Sequence, residues 1–284
     1  MTGNTENVTT YEPDNSLKKG YAFIFIEIFS ELWKNRWLTY QLFRRDFLAV
    51  YKQSFIGIFW ALIIPLVSLI TFVILNRSGI FNSGRIGAPY PLYAMLGITF
   101  WQLFSTGLVA GSNSLVKAGS MVVKINFSKK SLVIASSGQA LVSFLIQIAL
   151  TAVLFGYYRI IPPLAIILIP LMILPLILLT LGLSFILSLL NGVMRDVGNI
   201  ISILMTFLMF LTPVFYAKPA YGLLEKITCI NPLYYFISVP RDLALSGKIL
   251  EMKGFFISSI GAVVIFLACL LAFHLTETRV AERI

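Results

Sequence analysis

Chemically reactive side chains are scarce in this sequence of 284 residues. There is one histidine, His274, and there are two cysteines, Cys229 and Cys269. A lone histidine lacks the partners that a metal site or a nucleophilic triad requires. Cys269 lies within an apolar run, where a disulfide with Cys229 would be hard to form. The sequence therefore predicts no metal centre, no nucleophilic catalysis and no disulfide.

Acidic residues are also few, with 12 Asp and Glu against 22 Lys and Arg. None of the acidic residues lies within the six apolar runs given below, and the sequence has no HExxH or CxxC motif. Acid–base catalysis and proton relays inside a membrane both depend on titratable groups at membrane depth. The sequence thus argues against an enzyme and against an ion-driven transporter.

A phosphate-binding loop is absent as well. The only Gly-Lys pair, Gly247-Lys248, is followed by Ile249 and has no glycine at the required upstream position. If ATP drives this protein, the ATPase is a separate chain. We therefore expect no cofactor in this chain, with ATP and magnesium bound by the partner ATPase.

Apolar sequence, by contrast, is abundant. Hydrophobic residues make up 58% of the chain and charged residues 12%, and the mean hydropathy is +0.89; soluble domains have about 45–50% and about 25%. A membrane-spanning helix needs about 20 apolar residues. The sequence therefore predicts an all-α integral membrane protein with six transmembrane helices, in residues 55–75, 89–111, 133–157, 163–190, 199–216 and 255–273.

Proline and the basic residues refine this topology. Pro162, Pro163, Pro170 and Pro175 predict an irregular start and a kink or tilt in the fourth span.

Lysine and arginine are concentrated on one side, so both termini are predicted to be cytoplasmic. This bias and attraction to anionic lipid account for the net charge of +10, and nucleic-acid binding is not needed. Residues 1–28 are predicted to form a polar cytoplasmic tail without a signal peptide.

Residues 29–53 are predicted to form an amphipathic helix in the membrane interface, before a six-span domain over residues 54–284. Apolar and aromatic residues recur at helical spacings there, among them Trp33, Trp37 and Tyr40, and the charged residues lie largely elsewhere around the helix. A plain anchor that orients the first span explains the same pattern.

Two later segments are also too polar to span the membrane. Residues 113–131 mix apolar side chains with four lysines, which is typical of a docking surface, although burial against the protein's own helices explains the same pattern. In the external residues 217–254, Pro219, Pro232 and Pro240 are expected to break the chain into short helices that rest at the membrane surface or re-enter it.

Aromatic residues are concentrated in and beside the predicted spans. Interfacial belts and core packing are the ordinary explanation. Aromatic rings also stack on the C–H faces of sugars, so the same residues are candidates to line a glycan pathway. These candidates are Phe59, Trp60, Tyr90, Tyr93, Phe100, Trp101, Phe104, Phe215 and Tyr216.

Three stretches of the sequence resemble a known family. RRDFLAVYKQSFIGIFWALIIPL, MRDVGNIISILMTFLMFLTPVFY and NPLYYFISVPRDLALSG are similar to segments of the membrane subunits of bacterial ABC-type polysaccharide exporters, which move O-antigen, capsule or teichoic acid chains. The resemblance covers residues 31–273. It implies a homodimeric permease in the bacterial inner membrane, two copies of a separate ABC ATPase, and a lipid-linked polysaccharide as cargo.

The resemblance also implies roles for particular residues. Arg44, Arg45 and Lys52 become candidates to contact the lipid diphosphate, although solvated orientation charges explain them equally well. The cytoplasmic contacts with the ATPase would be Leu115, Lys117, Met121, Val122, Lys124, Phe127, Arg195 and Asp196. The external gate would contain Pro232, Tyr234, Tyr235 and Phe236. This chain lacks a proline in KINFSKKS, where the family usually has one in its coupling loop.

These expectations describe the permease of an ATP-driven exporter of a lipid-linked polysaccharide, with O-antigen as the first candidate. Three alternatives stay open on the sequence alone: an exporter of drugs or small molecules with the same architecture, a membrane-embedded transferase that acts on a carrier lipid, and a scaffold subunit that transports nothing.

Overall fold

The computed structural model of the protein describes residues 21–52, 59–79, 87–119 and 128–281. Helices and short turns make up these ranges, in which no β-strand occurs. The helices are α1 (Tyr21–Lys34), α2 (Arg36–Lys52), α3 (Trp60–Arg77), α4 (Tyr90–Ser112), α5 (Ser114–Ala118), α6 (Lys129–Tyr157), α7 (Ile169–Met172), α8 (Leu174–Val193), α9 (Asp196–Leu211), α10 (Leu223–Ile230), α11 (Pro232–Ser246) and α12 (Met252–Ala281).

Four helical segments are long and apolar enough to cross a membrane: Tyr90–Ser112, Lys129–Tyr157, Leu164–Val193 and Met252–Glu277. They correspond to the second, third, fourth and sixth predicted spans. The first and fifth predicted spans overlap the shorter apolar helices Leu62–Arg77 and Asp196–Leu211. The all-helical fold is therefore confirmed, and four helical segments among the described residues are long and apolar enough to span a membrane.

The fourth span begins irregularly, as its prolines predict. A short 3-10 helix, Leu164–Leu168, leads into α7, and α8 begins only at Leu174. Pro170 and Pro175 each lie in the first turn of a new helix. The missing N–H of proline costs little at that position, because the first amides of a helix have no partner within the helix.

The N-terminal region differs from the prediction in two ways. The first helix begins at Tyr21, within the predicted tail, and a break at Asn35 separates it from α2. The reason lies in the run after Tyr21, where Ile24 and Ile28 are four residues apart and fully buried in a core cluster that includes residues of α12. Packing of this apolar face therefore extends the helix beyond the predicted amphipathic segment.

Helix α4 forms the centre of the bundle. Every residue from Leu92 to Trp101 is buried, and α4 packs against α6 and α8. Small residues permit this close packing: a Cβ at Gly107 would lie 2.9 Å from the Thr180 methyl group, and one at Gly111 would overlap the hydroxyls of Ser137 and Ser184. Membrane helices use small residues at interfaces in this way.

The predicted external segment forms two helices, α10 and α11, rather than several pieces. Pro232 is the first residue of α11, and the Asn231 side chain accepts a hydrogen bond from the Leu233 amide there, at 3.0 Å. The prediction that Pro240 breaks the segment is wrong, because this residue lies buried inside α11. Packing against α4 and α12 keeps α11 helical despite the proline.

Candidate functional site

An open groove of about 540 Å³ lies between α3, α4, α6 and α9. Its contributing residues lie near the middle of α4 and α6, so the groove is at membrane depth. Tryptophan, amide and hydroxyl side chains face it among apolar neighbours. These side chains are Trp60, Ser68, Thr71, Trp101, Gln102, Ser105, Thr106, Ser143 and Gln147.

The Gln102 and Gln147 amides join the two central walls of the groove. Gln147 Nε2 donates a hydrogen bond of 2.7 Å to Gln102 Oε1. Gln147 is fully buried, and its Oε1 has no hydrogen-bond partner among the described residues. Polar groups are costly to bury in a membrane and, when present, commonly mark a pathway or a binding site.

The predicted pathway aromatics lie in three places: at the groove, at the start of α4 and in the core. Trp60 and Trp101 line the groove, and Phe59 is exposed beside Trp60. Tyr90 is half-buried at the start of α4. Tyr93 lies one turn further along the same helix, where its hydroxyl donates to the Tyr216 carbonyl at 3.1 Å.

Phe100, Phe104 and Phe215 lie in the core, where all three are at most 2% exposed. Phe100 packs against Phe144, and the ring centre of Phe215 lies 4.0 Å from that of Phe72 in a stacked pair. These phenylalanines fill the core of the chain. In this conformation they present no surface to a passing sugar.

At the predicted external end, Arg241 connects three elements. The side chain is 2% exposed, and its Nη1 donates to the carbonyls of Pro213, at 3.1 Å, and Val214, at 2.8 Å. Its guanidinium also lies over the Tyr93 ring. Helix α11 is thereby attached both to α4 and to the turn that follows α9.

The predicted gate residues lie on or beside this attached helix. Tyr234 and Phe236 are buried, and the Tyr235 hydroxyl donates to the Cys229 carbonyl at 2.8 Å. Lys218 binds Glu251 at 2.8 Å and lies 5.3 Å from the Tyr234 ring centre. Burial raises the pKa of Tyr234 to about 12, so this hydroxyl stays protonated near neutral pH.

The residues predicted to contact the ATPase lie at the opposite end of the bundle, in two neighbouring segments: α5 and the turn between α8 and α9. Leu115 is buried on α5 and Lys117 is exposed. Arg195 and Asp196 are exposed at the turn between α8 and α9. The remaining predicted contacts, Met121, Val122, Lys124 and Phe127, lie outside the described residues.

The candidate diphosphate contacts lie on α2. Arg44 and Arg45 are exposed, and Lys52 is the last residue of the helix. Arg45 Nε donates to Asp46 Oδ1 at 2.8 Å. Because Asp46 partly neutralises Arg45, Arg44 is the better placed of these two arginines to attract an anion.

A buried ion cluster, which the sequence did not predict, joins α1, α6 and α12. Lys130 is fully buried, and its Nζ contacts Glu31 Oε2 at 2.9 Å and also Glu277 Oε1. His274 Nδ1 lies 3.4 Å from Glu277 Oε1. We call these four residues the Lys130 cluster. A lysine is rarely buried unless it is paired in this manner.

The Lys130 cluster also bears on metal binding. Glu31, His274 and Glu277 could each offer a ligand atom to one ion, since those atoms lie within 4.8 Å of one another. The Lys130 ammonium group already contacts both carboxylates. A metal ion would have to displace this charge, so the cluster is better suited to an internal ion pair than to a metal.

Comparison with known proteins identifies the family. A sequence model of the ABC-2 type transporter family matches residues 38–244. The chain belongs to the ABC-2 type transporter family. Together with its long apolar helices, this membership makes it a multi-pass membrane protein and a transporter permease.

Several curated relatives of this ABC-2 family member have the same name. The chain is 29% identical over 195 residues to the O-antigen export system permease protein RfbA of Myxococcus xanthus, which covers 67% of this chain and 72% of that protein. It is 25% identical over 210 residues to an RfbA permease of Klebsiella pneumoniae, covering 72% and 79%. A second Klebsiella pneumoniae RfbA permease is 24% identical over 232 residues, covering 78% and 87%.

The matched family region contains the groove, Arg241 and Lys130, whereas Glu31 and Glu277 lie outside it. Sequence reasoning missed the Lys130 cluster because its contacts join residues 99 and 147 positions apart. The one local signal was a lysine directly before an apolar run. That signal is equally typical of a solvated charge at a membrane boundary.

Proposed function

We propose that this ABC-2 family permease exports a lipid-linked polysaccharide, and specifically an O-antigen, across the bacterial inner membrane. The observation that carries the proposal is the family match over residues 38–244, which contains the groove at membrane depth. The three curated relatives, all named as O-antigen export permeases, support this choice of cargo.

The complete transporter contains two copies of this chain and two copies of a separate ABC ATPase, which binds ATP and magnesium. The absence of a phosphate-binding loop in the sequence supports a separate ATPase chain. A second protomer would cover the open side of the groove and turn it into a closed pathway. The topology that suits this assembly has six spans and both termini in the cytoplasm.

The cargo enters from the membrane beside α2, where Arg44 and its basic neighbours attract the diphosphate. ATP binding on the partner moves α5 and the turn at Arg195 and Asp196, and the groove opens and closes in response. At the far end, α11 moves together with α4, because Arg241 connects them.

The lining of the groove favours a polyhydroxyl chain over an apolar drug. Amides and hydroxyls can exchange hydrogen bonds with successive sugars, and the exposed Trp60 ring can stack on their apolar faces. The described lining contains no carboxylate that could serve a transferase as an acid or base. Glycan export therefore agrees better with the groove than either alternative.

The decisive experiment reconstitutes the chain with its partner ATPase in proteoliposomes and measures ATP-dependent transfer of a labelled lipid-linked O-polysaccharide. We expect transfer that requires both chains and that falls in a Gln102→Leu, Gln147→Leu variant. Gln139→Leu is the matched control, since Gln139 lies on α6 away from the groove. Failure of the wild-type chain to assemble with any ABC ATPase would overturn the proposal.

Transfer of small apolar compounds in place of the glycan would support the drug-exporter alternative. A glycosyl or phosphoglycosyl product formed without ATP would support the transferase.

A further inference from the structure

A single buried amide connects three helices at the end of the bundle that carries the predicted ATPase contacts. Asn191 is 1% exposed and lies near the end of α8. Its Nδ2 donates to the Ser112 carbonyl at 3.1 Å and to Asn113 Oδ1 at 3.0 Å. Its Oδ1 accepts a hydrogen bond of 2.9 Å from the Gly198 amide. We call this arrangement the Asn191 bridge.

Each contact of the Asn191 bridge satisfies a group at a helix end. Ser112 is the last residue of α4, and its carbonyl is one of the groups that a helix leaves unpaired at its C-terminus. Gly198 lies in the first turn of α9, where the amides are likewise unpaired. Asn191 therefore caps the end of one helix and the start of another with the same side chain.

Space around the bridge is tightly restricted. A Cβ at position 198 would lie 2.7 Å from Asn113 Oδ1 and 3.1 Å from Asn191 Nδ2. Asn113 is itself fixed, because its Nδ2 donates to the Val109 carbonyl at 2.8 Å. A buried amide with all its donors and acceptors engaged resists separation of the parts that it joins, since every lost hydrogen bond leaves a buried polar group unpaired.

We propose that Asn191 is a positioning residue that makes the two ATPase contacts of this permease move as one unit. Helix α5, which carries Lys117, begins directly after Asn113, and the turn with Arg195 and Asp196 directly precedes Gly198. Displacement of either contact is transmitted to the other through the bridge. This inference rests on the proposed function, because it requires an ATPase that presses on both contacts.

Loss of the Asn191 bridge should reduce transport more than it reduces ATP hydrolysis. Without it, the ATPase still binds and hydrolyses ATP, but α5 and the α8–α9 turn respond independently, and less of the motion reaches the membrane helices. A coupling free energy between two sites typically corresponds to a 5- to 150-fold effect. We therefore expect translocation per ATP hydrolysed to fall by about 5-fold or more, with a smaller change in hydrolysis.

Asn191→Asp is the most informative variant. The aspartate side chain keeps the acceptor for the Gly198 amide but carries at most one donor hydrogen in place of the two that bind Ser112 and Asn113, so only the side of the bridge towards α4 and α5 is weakened. Ser188→Ala is the matched control, because Ser188 is as buried as Asn191 on the same helix. Among the described residues, its hydroxyl donates only to the Phe185 carbonyl of that helix.

The measurement is the number of glycans translocated per ATP in proteoliposomes, for complexes whose assembly is verified by size-exclusion chromatography. We expect the ratio to fall in Asn191→Asp and to stay at the wild-type value in Ser188→Ala. Combining Asn191→Asp with Asn113→Ala should cost less than the sum of the two single changes, because both act on the bond between Asn191 and Asn113. An unchanged ratio in the assembled Asn191→Asp complex would overturn the inference.

Two other outcomes are also decisive. If Asn191→Asp does not assemble, Asn113→Ala removes the bond to Asn113 Oδ1 from a partly exposed residue and leaves the bond to the Ser112 carbonyl. A smaller fall in the ratio is then expected, and an unchanged ratio there contradicts the inference. If the wild-type complex hydrolyses no ATP or moves no glycan, the proposed function fails and the inference fails with it. A coupled wild type with equally coupled variants overturns the inference alone.

Discussion

The guanidinium carbon of Arg241 lies 3.9 Å from the ring centre of Tyr93. This cation–π contact places a buried positive charge of α11 against α4. The same guanidinium donates to two carbonyls after α9. Helix α11, which carries the predicted gate residues, is therefore attached both to α4 and to the turn after α9.

Replacing Arg241 with methionine should destabilise the fold. The change removes the cation–π contact and leaves the buried carbonyls of Pro213 and Val214 without their donor, at a cost of about 1–3 kcal/mol per unpaired group. Thermal unfolding in detergent measures the loss. Lys226→Met, on an exposed residue of α10, is the control. Equal unfolding temperatures for the two variants would contradict the role of Arg241.

Replacing Lys130 with methionine should have a larger effect. Loss of one partner from a fully buried ion pair costs about 3–5 kcal/mol, and this range is an upper bound here because the remaining Glu31 and Glu277 side chains are 31% and 12% exposed. Here two carboxylates, Glu31 and Glu277, lose their countercharge. Chemical denaturation followed by tryptophan fluorescence should show the loss, whereas Lys34→Met, on the exposed end of α1, should leave stability nearly unchanged.

Alanine at position 97 should be poorly tolerated. A Cβ on Gly97 would overlap the Val214 carbonyl and approach Arg241 Nη1 to 3.3 Å. Overpacking of this kind costs about 1–3 kcal/mol. Gly261→Ala, in α12, has no neighbouring atom within 4 Å of the new Cβ and should be neutral or slightly stabilising. The two variants can be compared by unfolding temperature, and an equal response would refute the close contact at Gly97.

Glu31 should make stability depend on pH. Burial would raise its pKa, but Lys130 and His274 outweigh burial and hold the pKa below the ordinary 4.5. The stabilisation is therefore fully present above pH 4.5 and is lost as pH falls through the lowered pKa of the folded state.

The measurement is the difference in unfolding temperature between wild type and Glu31→Gln, which should be larger at pH 6 than below pH 4.5. In a Lys130→Met background this pH dependence should shrink, because the main favourable partner of Glu31 is gone. If the difference in unfolding temperature stays constant with pH in the wild-type background, ionisation of Glu31 does not contribute to stability.

Much of the helical framework could be predicted from sequence. Uncharged runs of spanning length locate the long helices, and the prolines near residue 170 correctly predict the irregular start of the fourth span. The sequence could not predict in the same way which side of each helix faces the core. A helix that is apolar on all sides has no face that composition marks as inward, so buried Phe100 and groove-lining Trp101 are indistinguishable in the sequence.

Long-range contacts explain the other misses. Ile24 and Ile28 become the buried face of a helix only because the distant α12 is present to cover them. Pro240 is accommodated in a helix because α4 and α12 surround it. The Asn191 bridge joins residues 78 and 79 positions apart, and asparagine at a helix end is otherwise typical of an ordinary cap.

Because Glu277 lies far along the sequence from Lys130, Lys130 gains this carboxylate late in synthesis. Lys130 can meet Glu31 as soon as both have been made, but its second carboxylate is added 147 residues later, which takes roughly 7–30 s at about 5–20 residues per second. Throughout that interval the ammonium group has only part of its final countercharge. A nascent chain that stops before Glu277 therefore keeps only one of the two carboxylates that Lys130 contacts in the finished protein, and α6 and α12 lack the ion pair that joins them.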